Sequence, residues 1–110
     1  MTESIFIGAD NVIVIDQLRY ARTGNFANNA TVTANLLDAD GVSLSNPTGE
    51  AHGSGGRYYI VIPSTVTANL TINQLMSMEI TANTGDETMV WKFPVRGAYA
   101  AQTSQATFRW

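Results

Sequence analysis

Cysteine is absent from the 110 residues, which excludes a disulfide framework, a thiol nucleophile and any cysteine-ligated zinc or iron–sulfur centre. Charge is scarce as well. Asp, Glu, Lys and Arg make up 14% of the chain and the net charge is −3, whereas an average domain carries about 25% charged residues. The few cations are scattered, so no phosphate-tracking surface forms and nucleic acid is not expected as a partner. No apolar run approaches the roughly 20 residues that cross a bilayer as a helix, so no membrane span is expected. Met1 to Gly8 has neither a basic start nor a long apolar stretch, and a secretory signal is therefore not predicted. Heptads, internal repeats and low-complexity tracts are missing too.

What is present suits one domain. A globule of 11.9 kDa buries roughly 65% of the surface its unfolded chain exposes, enough for a single core. Lysine occurs once, at Lys92, while Arg19, Arg22, Arg57, Arg96 and Arg109 supply the other cations. Arginine is the cation that interfaces favour, because its planar guanidinium stacks and forks hydrogen bonds while shedding water cheaply. The remaining exposed positions fall to Thr, Asn, Ser and Gln.

Alternation with a period of two organises the chain. Met76, Met78, Ile80 and Ala82 alternate with Ser77, Glu79 and Thr81, and Met89, Trp91, Phe93 and Val95 alternate with Lys92 and Arg96. Between them stands Asn83-Thr84-Gly85-Asp86-Glu87, of hairpin length, so residues 74–83 and 88–96 read as a β-hairpin with Trp91 in the core. Val32, Ala34 and Leu36 repeat the pattern up to an Asp38-Ala39-Asp40-Gly41 turn, after which residues 42–45 begin a partner strand. Four β-branched residues, Val12 to Ile15, suit a central strand over 11–16, with a shorter candidate at 4–7. Tyr58 to Ile62 reads as a strand buried on both faces, or nearly so, stopped by Pro63. Residues 22–29 read as a loop anchored by an inward Phe26, and 46–56 as the longest irregular segment. A single helical turn near Gln17 to Ala21, or around Asn73 to Leu75, is the most the sequence allows. About seven short strands with Gly/Asn/Asp turns predict an all-β fold: one antiparallel β-sandwich of immunoglobulin-like type over residues 1–97. A jelly roll is the alternative.

Residues 98–110 depart from this grammar, being uncharged until Arg109 and ending in Phe108-Arg109-Trp110. Leaving large aromatics in water forgoes roughly 1.5–3 kcal/mol each, so the segment needs a landing surface. Two are open: the domain's own flank, as an added edge strand, or a neighbouring subunit. Tyr99, Phe108, Arg109 and Trp110 are the predicted interface residues, docking by burial of apolar area and by strand addition.

Chemistry is thin. His52, the lone histidine, has no second ligand at metal-binding spacing, so no metal site and no cofactor are predicted. A Ser-His-Asp arrangement would have to use His52 with Ser54 on a flexible loop, without the strand-turn-helix elbow that presents a nucleophile; no catalytic residue is predicted. The Asp38-Ala39-Asp40-Gly41 segment begins like a calcium loop, yet position 49 is Gly where a glutamate is required, and turn capping is the better account. Gly53-Ser54-Gly55-Gly56 lacks the Lys-Ser/Thr of a phosphate loop and precedes a strand. Tyr58, Tyr59 or Trp91 as stacking rings would make a carbohydrate-binding module, the alternative from another functional class.

Three stretches carry a resemblance: Asn29 to Asp38 with its Asp40-Gly41 turn; Gly56-Arg57-Tyr58-Tyr59-Ile60-Val61-Ile62-Pro63; and Met78 to Asn83 leading to Trp91-Lys92-Phe93-Pro94-Val95-Arg96. Their succession, over about residues 10–97, resembles the small immunoglobulin-like β-sandwich structural proteins of tailed bacteriophages, including the amino-terminal domain of baseplate upper proteins. The long second region of baseplate proteins has no counterpart in this chain. The resemblance implies a non-enzymatic virion protein, a capsid decoration or cement protein first, with a tail, baseplate or head–tail connector component as the alternative. It implies viral structural proteins as partners, the major capsid protein or tail subunits, with homo-oligomers in the assembly, and location in the virion. It transfers no catalytic or ligand residues.

Overall fold

The computed structural model describes residues 3–85, 87–99 and 104–109. In chain order these form β1 (Glu3–Phe6), β2 (Asn11–Asp16), β3 (Thr31–Leu37), β4 (Ser43–Ser45), β5 (Glu50–Ala51), β6 (Tyr58–Ile62), the single-turn helix α1 (Ser64–Thr67), β7 (Leu75–Asn83), β8 (Thr88–Ala98) and β9 (Ser104–Arg109). Two sheets result, with strand orders β1-β8-β7-β3-β4 and β5-β6-β2-β9. The fold is all-β.

Both sheets contribute to one core. From the five-stranded sheet come Val32, Ala34, Leu36, Met76, Met78, Ile80, Ala82 and Val95; from the four-stranded sheet come Ile13, Ile15, Tyr58, Ile60 and Ile62. The cross-strand register explains the selection. Ala34 faces Ile80 and Ile80 faces Trp91, while Ile13 faces Ile60 and Ile15 faces Tyr58, so each apolar set falls on one side of its sheet. The hairpin of β7 and β8, the central place of β2 and the pairing of β4 with β3 follow the alternation.

Several details differ from the sequence reading. The sheets are mixed, because β1 pairs parallel with β8 and β2 pairs parallel with β9. Period-two alternation reports which face is buried and is silent on strand direction, and these partners lie near opposite ends of the sequence. Strand β5 adds to the seven predicted, and β9 lies as an edge strand on the domain's own flank, one of the two landing places left open for residues 98–110. Strand β6 is not buried on both faces: Val61 is 44% exposed and Tyr59 is half-buried. Phe26 is not an inward anchor. Arg19 and Phe26 form an isolated bridge, and the Ala27 N–H donates to the Leu18 carbonyl at 2.8 Å. Leu18 and Ala27 turn inward and are fully buried, leaving Phe26 outside with the Arg19 guanidinium 4.1 Å from its ring centre. Trp91 is half-buried at the rim of the core, because β1 pairs only with Val95–Ala98 and residues 88–94 of β8 have no strand on that side among the described residues. The helical turn follows Pro63, where Asp10 Oδ1 accepts the Ser64 N–H at 2.7 Å and Thr67 Oγ1 donates to the Ala9 carbonyl at 2.7 Å. Neither predicted place is helical; Gln17 and Asn73 both have φ of 61°, the left-handed region that interrupts a helix.

Candidate docking surface

Exposed apolar residues gather at the end of the five-stranded sheet where β7 begins and β8 ends. The turn from Thr71 to Gln74 is clamped onto β8: Asn73 N–H donates to the Gly97 carbonyl at 2.7 Å, and Gly97 N–H donates to the Gln74 carbonyl at 3.1 Å. Glycine is required at 97, since a Cβ there would stand 2.3 Å from the Thr71 carbonyl oxygen. The clamp leaves Ile72 53% exposed at the turn and Leu75 58% exposed on the outer face, where Leu75 is the register partner of Arg96. Immediately beyond β8 is Tyr99, 71% exposed. Its neighbour Ala98 is held by the Ile7 N–H, which donates to the Ala98 carbonyl at 2.9 Å. Two aliphatic side chains, an aromatic and a guanidinium therefore share one end of one sheet, a composition that interface centres favour.

Of the four predicted interface residues, Tyr99 belongs to this end. Phe108 and Arg109 do not: they lie in β9, where their backbones pair in cis with Ile15 and Asp16. Ser104, at the start of β9, pairs with Asn11, so Tyr99 and Phe108 stand at opposite ends of that strand. Trp110 lies outside the described residues. The sequence reading missed Ile72 and Leu75. Leu75 was visible as an apolar residue out of phase with Met76 and Met78, while Ile72 needed the turn geometry.

The remaining candidates lie in turns, at a backbone junction and in or beside the core. His52 is exposed and stacks on Tyr59, with ring centres 4.5 Å apart and planes 16° from parallel. No cluster of metal-ligating side chains occurs among the described residues. Asp38 Oδ1 accepts the N–H groups of Asp40 and Val42, each at 2.9 Å, which closes the turn. Gly56 has φ of 67° and its carbonyl accepts the Leu18 N–H at 3.0 Å; the Gly53–Gly56 run serves a backbone junction. Tyr58 is in the core, its hydroxyl donating to the Ala27 carbonyl and accepting the Ala30 N–H at 3.0 Å. Burial pushes its pKa up. Tyr58, Tyr59 and Trp91 make no common stacking platform, because Tyr58 is buried, and Tyr59 and Trp91 belong to different sheets.

On the outer side of the four-stranded sheet, Arg57 Nε lies 3.3 Å from the buried Asp16 Oδ1. The hydrogen bond and charge of Asp16 raise the Arg57 pKa. A cleft of 430 Å³ opens at the end of the molecule opposite Tyr99, between the 20–25 loop and the β7–β8 turn, lined by Tyr20, Arg22, Thr23, Asn25 and Glu87. Glu87 Oε2 accepts the Ala21 N–H there at 3.3 Å, tying the two loops together. No protein family, curated protein or solved structure matches the chain.

Proposed function

We propose that this chain is a non-enzymatic structural protein of a tailed-phage virion, a capsid decoration or cement protein built on an immunoglobulin-like sandwich. Three supports converge. The resemblance over residues 10–97 supplies the class of protein. The connectivity supports the fold type: β8-β7-β3-β4 follows the order of the G, F, C and C′ strands of an immunoglobulin domain, and β2-β6-β5 follows that of B, E and D. Strand β9 then takes the position beside B that strand A holds in such domains, though in parallel orientation.

The observation that carries the reading is the exposed set of Ile72, Leu75 and Tyr99 at the Arg96 end of the five-stranded sheet, where backbone hydrogen bonds clamp the 71–74 turn onto Gly97. Keeping such side chains in water is unfavourable by roughly 1.5–3 kcal/mol each relative to burial, and a partner that covers them recovers it. The partner is a viral structural protein, the major capsid protein first. Antibody labelling of virions from the phage that encodes the chain tests this. Label on the head lattice is expected, and the doubly substituted Leu75→Ser/Tyr99→Ser chain should fail to rebind heads stripped of the wild type. Label on the tail or baseplate would replace decoration with the tail alternative, and unlabelled virions would end the reading.

A further inference from the structure

Strand edges are binding surfaces unless something blocks them, because each presents unpaired N–H and C=O groups. Most free edges described in this chain are blocked. Strands β4 and β5 have three and two residues. Next to them residues 47–49 run along β3, where Ala34 N–H donates to the Pro47 carbonyl at 3.1 Å and Gly49 N–H to the Val32 carbonyl at 2.8 Å. The uncovered stretch of β8 carries Lys92 and Pro94, and the four-residue β1 begins with Glu3. Strand β9 is different. It is the outermost strand of its sheet, six residues long, with the sequence Ser-Gln-Ala-Thr-Phe-Arg. No Pro, Lys, Asp or Glu interrupts it, and its single charge is at its end.

We propose that a second copy of this chain pairs along the free edge of β9, antiparallel and about a twofold axis at Thr107, so that two four-stranded sheets continue as one. The occupant follows from three features. A strand that pairs with its own copy in a closed twofold dimer must run antiparallel to it. In that arrangement Thr107 stands opposite its own copy and Arg109 opposite Gln105 of the other copy; a parallel pairing in register would oppose Arg109 to Arg109, and directly opposed like charges destabilise a sheet. Growth also stops at two, since the opposite flank of each copy is blocked by short strands and the Pro47–Gly49 segment. The proposal is independent of the virion reading.

The absence of cysteine makes a clean test possible. Single-cysteine variants at Gln105, Ala106, Thr107 and Phe108 are oxidised with air and a copper catalyst. Disulfide-linked dimers are expected at the self-opposed position, Thr107, and a flat profile, or none, overturns the proposal. Light scattering coupled to size exclusion should show the wild-type chain passing from monomer to dimer over the micromolar to millimolar range; a monomer throughout that range overturns it. Two proline variants, Ala106→Pro and Thr107→Pro, separate association from folding. In a parallel ladder alternate residues of β9 bond to β2 and the others point their amides outward. One variant should therefore remain folded and become monomeric, while the other melts at a lower temperature. Dimerisation untouched in a folded proline variant of either kind whose amide points outward counts against the edge, and if both variants unfold, the cysteine profile decides.

Discussion

The two flanks of this sandwich-like fold treat their strand edges differently. On the β4/β5 flank, the chain shortens its edge strands and folds residues 47–49 against β3, with Pro47 withholding an amide and Gly49 fitting where no side chain can. On the other flank, strands from both ends of the sequence are laid alongside the interior strands: β1 against β8 and β9 against β2. The first solution is local and sterically exact in its demands. The second is long-range and depends on backbone pairing more than on any one side chain. A blocked edge tolerates no added atoms, whereas an added strand tolerates a change of side chain as long as the amides that bond to its neighbour are kept.

Deleting residues 104–110 is the most severe way to break that comparison. It strips β2 of one ladder and exposes its edge, and at about 1 kcal/mol per net hydrogen bond plus lost apolar cover the expected cost is roughly 3–6 kcal/mol, read as a large fall in Tm. A loss below about 1 kcal/mol would mean β9 contributes little to that flank. Smaller effects are expected of the glycines. An added Cβ at Gly49 would stand 2.6 Å from both Ile60 Cγ1 and Val32 Cγ2, and one at Gly97 would stand 2.3 Å from the Thr71 carbonyl oxygen. Gly97→Ala and Gly49→Ala should each cost about 1–3 kcal/mol in denaturant melts. Gly97→Ala should be the worse, because a backbone oxygen cannot swing aside as an isoleucine or valine methyl can.

Tyr58→Phe belongs to neither flank and calibrates the core between them. Removing the hydroxyl leaves the buried Ala27 carbonyl and Ala30 N–H without their partner, at about 1–2 kcal/mol. The same variant carries a pH signature. Burial raises the Tyr58 pKa above its ordinary value of 10.0, so the folded state holds the phenolic proton more tightly than the unfolded chain. Its contribution is complete below pH 10 and is lost as pH rises through the higher folded value. Alkaline melts of the wild type should therefore decline more steeply above pH 10 than those of Tyr58→Phe; equal slopes would remove Tyr58 as the cause. The smallest effect on stability is expected from Leu75→Ser and Tyr99→Ser, within about 0.5 kcal/mol of wild type, since both side chains are exposed. A larger loss would show that this end supports the fold.

Much of the architecture was legible because burial repeats with the strand period. Val32-Ala34-Leu36, Met76-Met78-Ile80 and the run from Val12 to Ile15 identify their own strands and inward faces without reference to one another. What stayed hidden depends on residues far apart in sequence. The parallel partners of β1 and β9 leave no mark on local alternation, and β5 is two residues within a Gly-rich segment. Phe26 was misplaced because the Arg19–Phe26 bridge, set by Leu18 and Ala27, decides which neighbour points inward. The candidate surface divides in the same way: the exposure of Tyr99 fits its position just past a strand, but its grouping with Ile72 and Leu75 is a product of the clamp on Gly97.

The pairing of Glu3 with Val95 and of Asn11 with Ser104 also bears on how the molecule forms. Closing contacts across nearly the whole chain costs loop entropy before any bond repays it, which places these two ladders late in folding. The β7–β8 hairpin and its β3 neighbour can assemble first as a local nucleus. In stopped-flow experiments the chain should refold on the millisecond-to-second scale typical of non-local β topologies, and pulse-labelled amides of β1 and β9 should gain protection after those of β7 and β8. Until they do, β2 stands with one side uncovered, and the interval between the two events is when a nascent molecule is most open to misassociation.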